Sequence, residues 1–335
     1  MTTNVMMSSN NETTKQKVLF FGETFRAIKH EIGKMIVGQE QVVEGVLTAL
    51  CAGGHVLLEG VPGLGKTMLV SAISQSVELP FSRIQFTPDM MPSDIQGSSV
   101  LLETENGGHE LTFQPGPIVS NLVLADEINR ATPKTQSALL EVMQEKQVTV
   151  GKRTIKLDEP FCVMATQNPV DQEGTYSLPE AQLDRFLFKL VVGYPTEQDY
   201  HTIIDRTTSG ESVELQAVSN SAELIKMREI VRSVIVTEKA KGFAIKLVMG
   251  TQPNSKYATS TINDFVSLGA SPRGIQSLML AAKVAALLDG RFEVIELDIR
   301  NVALPVLRHR LVLNFKAQAS AMSADSLVQN LLTEL

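Results

Sequence analysis

Five short apolar runs recur along the first part of the chain: Val56–Glu59, Arg83–Phe86, Leu122–Ala125, Phe161–Thr166 and Leu187–Val192. Each is rich in Val, Ile, Leu or Phe with little polar alternation, the pattern of strands covered on both faces. Segments with helical spacing lie between most of them, so the runs predict a mostly parallel sheet in an α/β layer structure. Upstream, from Val18 to about Leu50, apolar residues recur at helical spacing, interrupted by Ile36-Val37-Gly38-Gln39. That stretch delivers the chain to the first strand.

Two segments break the alternation and read as hairpins. Between Val100 and Phe113 an Asn106-Gly107 turn is flanked by runs of period-two character. Between Gln147 and Leu157 the turn is short and carries Lys152 and Arg153 at its tip. These hairpins either decorate the sheet edge or project from the core as contact elements. Beyond Tyr194-Pro195 the pattern predicts helices only: Glu197–Thr207, Ala222–Val236, a segment near Lys239–Thr251, Ser271–Leu288 and Asp298–Leu313, with Thr251–Thr261 as a surface loop. Ser271 as N-cap and Pro272 at the first helical position open the clearest of these helices. A chain of 335 residues exceeds what one core usually serves. The expected division is a flexible polar tail over 1–17, an α/β core over 18–194 with insert hairpins near 98–114 and 147–157, and an all-helical lid over 195–335.

Composition narrows the partners. Thirty Lys and Arg against 37 Asp and Glu leave a net charge of −7, which makes nucleic acid an unlikely partner by charge alone. Cys51 and Cys162 sit in apolar runs without a C-x-x-C pattern and read as core residues in a reducing compartment. The five histidines show no metal-ligand spacing. The first residues are polar with no apolar signal core, and no run reaches the ~18 apolar residues of a membrane span. A cytoplasmic location is therefore expected.

The chemistry is carried by three strand ends. After Val56–Glu59 comes Gly60-Val61-Pro62-Gly63-Leu64-Gly65-Lys66-Thr67, and then an amphipathic stretch with Leu69, Val70, Ile73 and Val77 at helical spacing. Glycines let successive backbone N–H groups point into one concavity, and a helix N-terminus adds partial positive charge there. In such a loop Lys66 reaches the β- and γ-phosphates and Thr67 binds Mg²⁺. Leu122–Ala125 ends in Asp126-Glu127, where strand ends of a parallel sheet face the ligand crevice. Asp126 is suited to the Mg²⁺ shell and Glu127 to deprotonating an attacking water. Phe161–Thr166 leads to Asn168, a candidate neutral sensor of the γ-phosphate, although an Asn before Pro is by itself usually a turn residue. Arg185 and Arg273 would complete charge neutralisation, Arg185 in a neighbour's site and Arg273 within its own chain. The alternative for each is a surface ion pair worth ~0–1 kcal/mol.

Together these residues resemble the Walker A, Walker B, sensor 1, arginine-finger and sensor 2 elements of AAA+ ATPases. Ile36–Gln39, Asp126–Ala131, Ala165–Pro169, Leu178–Phe186 and Leu307-Arg308-His309-Arg310 more narrowly resemble the MoxR family, over about residues 30–314. The resemblance implies a P-loop αβα core with a parallel five-stranded sheet and a helical lid. It further implies ATP and Mg²⁺ as ligands, with Val37, Gly38, Gly60 through Thr67, Met68 and Arg273 lining the nucleotide. It implies a homo-oligomeric ring, commonly hexameric, and chaperone-like work on a protein client, often with a von Willebrand A domain partner. Gly274, where many relatives carry Ala, is a minor departure. The expected function is Mg²⁺-dependent ATP hydrolysis driving maturation or remodelling of a protein. The alternatives are a nucleotide-dependent switch or scaffold with little turnover, a DNA-linked motor, and a magnesium-chelatase-type subunit.

Overall fold

The structure, a computed structural model, describes residues 2–103, 109–151, 153–168, 175–208 and 213–335. In chain order its first part consists of α1 (Thr2–Gly33), α2 (Glu40–Ala52), β1 (Val56–Glu59), α3 (Lys66–Ser76), β2 (Phe81–Gln85), α4 (Pro92–Gln96), β3 (Gly97–Glu103), β4 (His109–Pro115), β5 (Leu122–Asp126), α5 (Pro133–Glu145), β6 (Gln147–Val150), β7 (Arg153–Lys156), β8 (Cys162–Gln167), α6 (Glu180–Leu183) and β9 (Phe188–Val191). The second part adds α7 (Glu197–Thr208), α8 (Ser221–Ser233), β10 (Ile235–Val236), α9 (Glu238–Gly250), α10 (Ser260–Phe265), β11 (Val266–Leu268), α11 (Pro272–Leu288), β12 (Glu293–Val294), α12 (Glu296–Leu307), β13 (Val312–Leu313), α13 (Phe315–Ala319) and α14 (Ala324–Glu334).

Five strands pair in the order β2-β5-β8-β1-β9, every neighbouring pair parallel. Side chains alternate between two apolar layers. Leu58, Leu122, Leu124, Met164 and Phe188 join the layer of α1, α2 and α3. Leu57, Val123, Ala125, Val163 and Ala165 join that of α5. Because both layers are apolar, the strands read as continuous apolar runs. The lid shares the first layer: Leu224, Phe243, Leu278 and Ile299 belong to the same apolar cluster. Its long helix α11 packs on α12, α9 and α8 and also on α2 and α1 of the core.

Three expectations change. The segment 1–17 is helical from Thr2 onward, as the start of α1. It contains neither Gly nor Pro, so nothing in it stops a helix propagating back from Val18. The lid is not all-helical: β10 pairs with β12 in parallel and β11 with β13 antiparallel. Ladders of two or three residues are too short to impose a period, and they trim the predicted helices to α8 and α12. Thr251 is not surface loop but wholly buried, its Oγ1 donating to Val248 O at 2.7 Å and accepting from Ala270 N at 2.9 Å. The turns after it lead to α10, which Thr259 caps.

Both hairpins are antiparallel, with Leu101 opposite Leu111 and Val150 opposite Arg153. The Asn106-Gly107 turn and Lys152 lie outside the described residues. Val148 and Leu157 anchor the base of the β6–β7 hairpin in the core. Leu101 and Leu111 are exposed as a cross-strand pair, so the β3–β4 hairpin presents apolar surface outward.

Candidate nucleotide site

β1, β5 and β8 are adjacent and parallel, so their carboxyl ends carry Gly60, Asp126-Glu127 and Asn168 to one edge of the sheet. The glycines of the loop serve different needs. Gly63 and Gly65 have φ of +84° and +74°, a region open to glycine. At Gly60 a Cβ would lie 2.7 Å from the Val192 carbonyl oxygen, where β9 closes against β1. Gly65 is the N-cap of α3, and with no side chain to cap that end the first-turn N–H groups of Lys66, Thr67 and Met68 stay directed at a ligand. Lys66 is half-buried and donates from Nζ to the Gly60 carbonyl. Burial lowers its pKa against the opposing pull of Asp126, Glu127 and Glu59. Gln39 Nε2 donates to Leu64 O at 2.8 Å, tying the Val37-Gly38 segment to the loop. Gly38 itself has φ +72°, and a Cβ there would sit 2.5 Å from Asp199 Oδ2.

The two acids are held by residues that motif reading left without a role. Thr166, buried in β8, donates from Oγ1 to Asp126 Oδ1 at 2.7 Å and accepts from the Glu127 N–H at 2.8 Å. Glu127 adopts φ +57°, a left-handed conformation that costs energy in a residue with a Cβ and turns its side chain away from the strand line. Its Oε2 accepts from Gln85 Nε2 at 3.0 Å and from Arg130 Nη1 at 2.9 Å. Arg83 Nη2 lies 2.6 Å from Asp126 Oδ2. In the sequence Arg83 and Gln85 are ordinary polar positions two apart on one face of a strand; the register that sets Gln85 opposite Asp126 is what brings them to the acids. Asn168 is buried at the end of β8. Thr67 and Asp126 offer one hydroxyl and one carboxylate, a hard oxygen set that suits Mg²⁺ shared with substrate phosphates. The residues present therefore fit that ion.

The arginines are placed elsewhere. Arg273, expected to serve the site of its own chain, lines a cavity of about 280 Å³ with Gly53, Gly54, His55, Asp184 and Arg185. Those residues stand at the amino ends of β1 and β9, the opposite end of the sheet from Gly60. The reason is the seat of α11 on α2 rather than above the phosphate loop. Arg185 donates from Nη1 to Leu140 O at 2.6 Å, and its buried Nε has no partner among the described residues. Asp184 fixes this corner by accepting from Ser271 Oγ at 2.7 Å and Arg310 Nε at 2.8 Å, with Arg273 Nη1 at 3.9 Å. Arg310, buried, also donates to Phe186 O at 2.7 Å and Ser277 Oγ at 3.0 Å. The Leu307–Arg310 motif thus clamps the lid to the segment that carries Arg185.

His55 braces the same end. Val163 N donates to its Nδ1 at 3.0 Å, so Nε2 holds the proton and donates to Met143 O at 3.0 Å. Burial lowers its pKa from 6.5 to about 4. Below pH 6.5 the unfolded chain binds this proton and the folded chain does not, so stability falls as pH drops from 6.5 to about 4, by about 3 kcal/mol in total. His55→Gln, which keeps a neutral acceptor and donor, is expected to flatten the melting temperature across that window relative to the native chain.

A parallel sheet of this order with a glycine loop, paired acids and a packed helical lid defines an AAA-type P-loop nucleotide-binding protein. Residues 55–188 match the model of the ATPase family associated with various cellular activities (AAA), and residues 259–331 match the AAA lid domain. The chain is 44% identical over 302 residues to Chaperone MoxR1 of Mycobacterium tuberculosis (strain ATCC 25618 / H37Rv), covering 90% of this chain and 79% of that protein. It is 30% identical to Protein MoxR of Methylorubrum extorquens, over 85% of this chain and 86% of that protein. The crystal structure of a Cytophaga hutchinsonii ATCC 33406 protein superposes with a TM-score of 0.89 at 38% identity, covering 97% of this chain and 98% of that one. The chain belongs to the MoxR family of AAA+ ATPases. Among the described residues no helix is long and apolar enough to cross a membrane.

Proposed function

We propose that the chain hydrolyses ATP with Mg²⁺ in a ring of identical subunits and uses the cycle to remodel or mature a protein client. The N–H groups of the loop and Lys66 bind the phosphates, with Val37, Gly38 and Met68 beside the nucleoside. Thr67 and Asp126 hold the ion, which screens phosphate charge when bound. Glu127 takes a proton from the attacking water, and Asn168 orients that water or the γ-phosphate. Arg185 and Arg273 of one subunit neutralise charge at the next subunit's site.

The observation that carries this reading is the separation within one chain: phosphate loop, acids and Asn168 at one end of the sheet, both arginines at the other. A site split this way is completed only by a second copy. The client role is supported by the name of the mycobacterial relative and by the exposed Leu101–Leu111 pair; a von Willebrand A domain protein is the partner class implied by the family. Light scattering with and without ATP, together with steady-state phosphate release, tests the reading. Turnover by a stable monomer would remove the shared site, and nucleotide binding without phosphate release would leave only a switch.

A further inference from the structure

β2 contributes a short polar relay to the site. Arg83 places Nη2 at 2.6 Å and Nε at 3.2 Å from Asp126 Oδ2, and the same Nη2 donates to Gln85 Oε1 at 2.6 Å. Gln85 then donates from Nε2 to Glu127 Oε2 at 3.0 Å. The amide orientation is dictated by its neighbours: a guanidinium only donates and a carboxylate only accepts, so Gln85 must turn its oxygen to Arg83 and its nitrogen to Glu127. Thr166 already uses Asp126 Oδ1. Both oxygens of Asp126 are therefore engaged by protein donors, and a cation shell that draws on Oδ2 competes with Arg83 for it. That competition is a light one, because the Arg83 side chain is 47% exposed and such ion pairs are weak.

We propose that Arg83 is a positioning residue that competes with the divalent cation for Asp126, holding Oδ2 until the cation displaces it. Arg83 itself touches no reacting atom in this scheme.

The inference rests on the proposed nucleotide site, and its test separates the two. Mn²⁺ serves as a paramagnetic probe of the ion site, titrated at low ionic strength into the full chain with saturating ADP; ADP affinity is measured separately in EDTA. Arg83→Gln is expected to bind Mn²⁺ about three- to fivefold more tightly than the native chain, with metal-free ADP affinity unchanged. Arg83→Lys, which keeps charge but loses the fork, is expected to fall between them. A purely structural role for Arg83 would alter melting temperature or ADP affinity without this metal-specific gain. Equal or weaker Mn²⁺ binding in Arg83→Gln, with ADP still bound, overturns the competition alone. Failure of the native chain to bind ADP with or without metal overturns the site and the inference together.

Discussion

Glu127→Gln is expected to slow ATP turnover by about 10²–10⁴ while leaving nucleotide binding in place. The substitution preserves shape. Its backbone N–H still finds Thr166 Oγ1, and the amide oxygen can still accept from Gln85 and Arg130, so the left-handed turn after β5 has the same supports. Only the capacity to take a proton from water is lost. Phosphate release measured beside fluorescent-nucleotide binding checks the split, and normal turnover in the variant would strip Glu127 of the role of base. A second consequence follows if the client is gripped in the ATP state. The variant should then retain it through a pull-down that the native chain, cycling to ADP, does not survive.

The parts legible in the sequence were those dictated by strong local rules. The strand from Val56 to Glu59 was read to the residue, because three apolar positions and Glu59 meet a glycine loop that cannot extend the strand. A mostly parallel sheet followed from strands alternating with helices, and the burial of both its faces from continuous apolar runs. What stayed hidden was set by packing between distant segments. Arg273 opens a helix with clear N-capping, yet its position depends on α11 settling on α2, and no local pattern states that. Arg83 and Gln85 looked like ordinary polar positions of a strand end; only the register of β2 against β5 reveals that they face Asp126 and Glu127. The same holds for Arg310, whose buried fork gathers Asp184, Phe186 and Ser277 from separate elements. Such a residue is costly to bury unless nearly every donor is met, so it reads as polar surface until the partners are known.

Arg185→Ala is expected to lower hydrolysis by about 10³–10⁵, again without loss of nucleotide binding in the altered subunit. The local geometry supports a group whose main partner lies outside its own chain. Its Nη1 meets one backbone carbonyl, while Nε is buried without a partner among the described residues, a condition that costs about 1–3 kcal/mol unless something completes it. A phosphate of the adjacent subunit in the proposed ring would meet the Nη donors of the fork rather than the enclosed Nε. A mixture decides between this reading and simple damage to the fold. Lys66→Ala chains lack a phosphate ligand but keep Arg185; Arg185→Ala chains keep the phosphate loop but lack the finger. Each alone should be nearly inactive, yet mixed rings contain interfaces that pair an intact loop with an intact arginine, so phosphate release should return to a measurable fraction of native. Arg273→Ala should behave likewise, since Asp184, 3.9 Å from its Nη1, keeps it in the same corner. Persistent activity of Arg185→Ala alone, or mixed rings that stay silent although both chains assemble together and the Arg185→Ala chain binds ATP, would place the finger elsewhere.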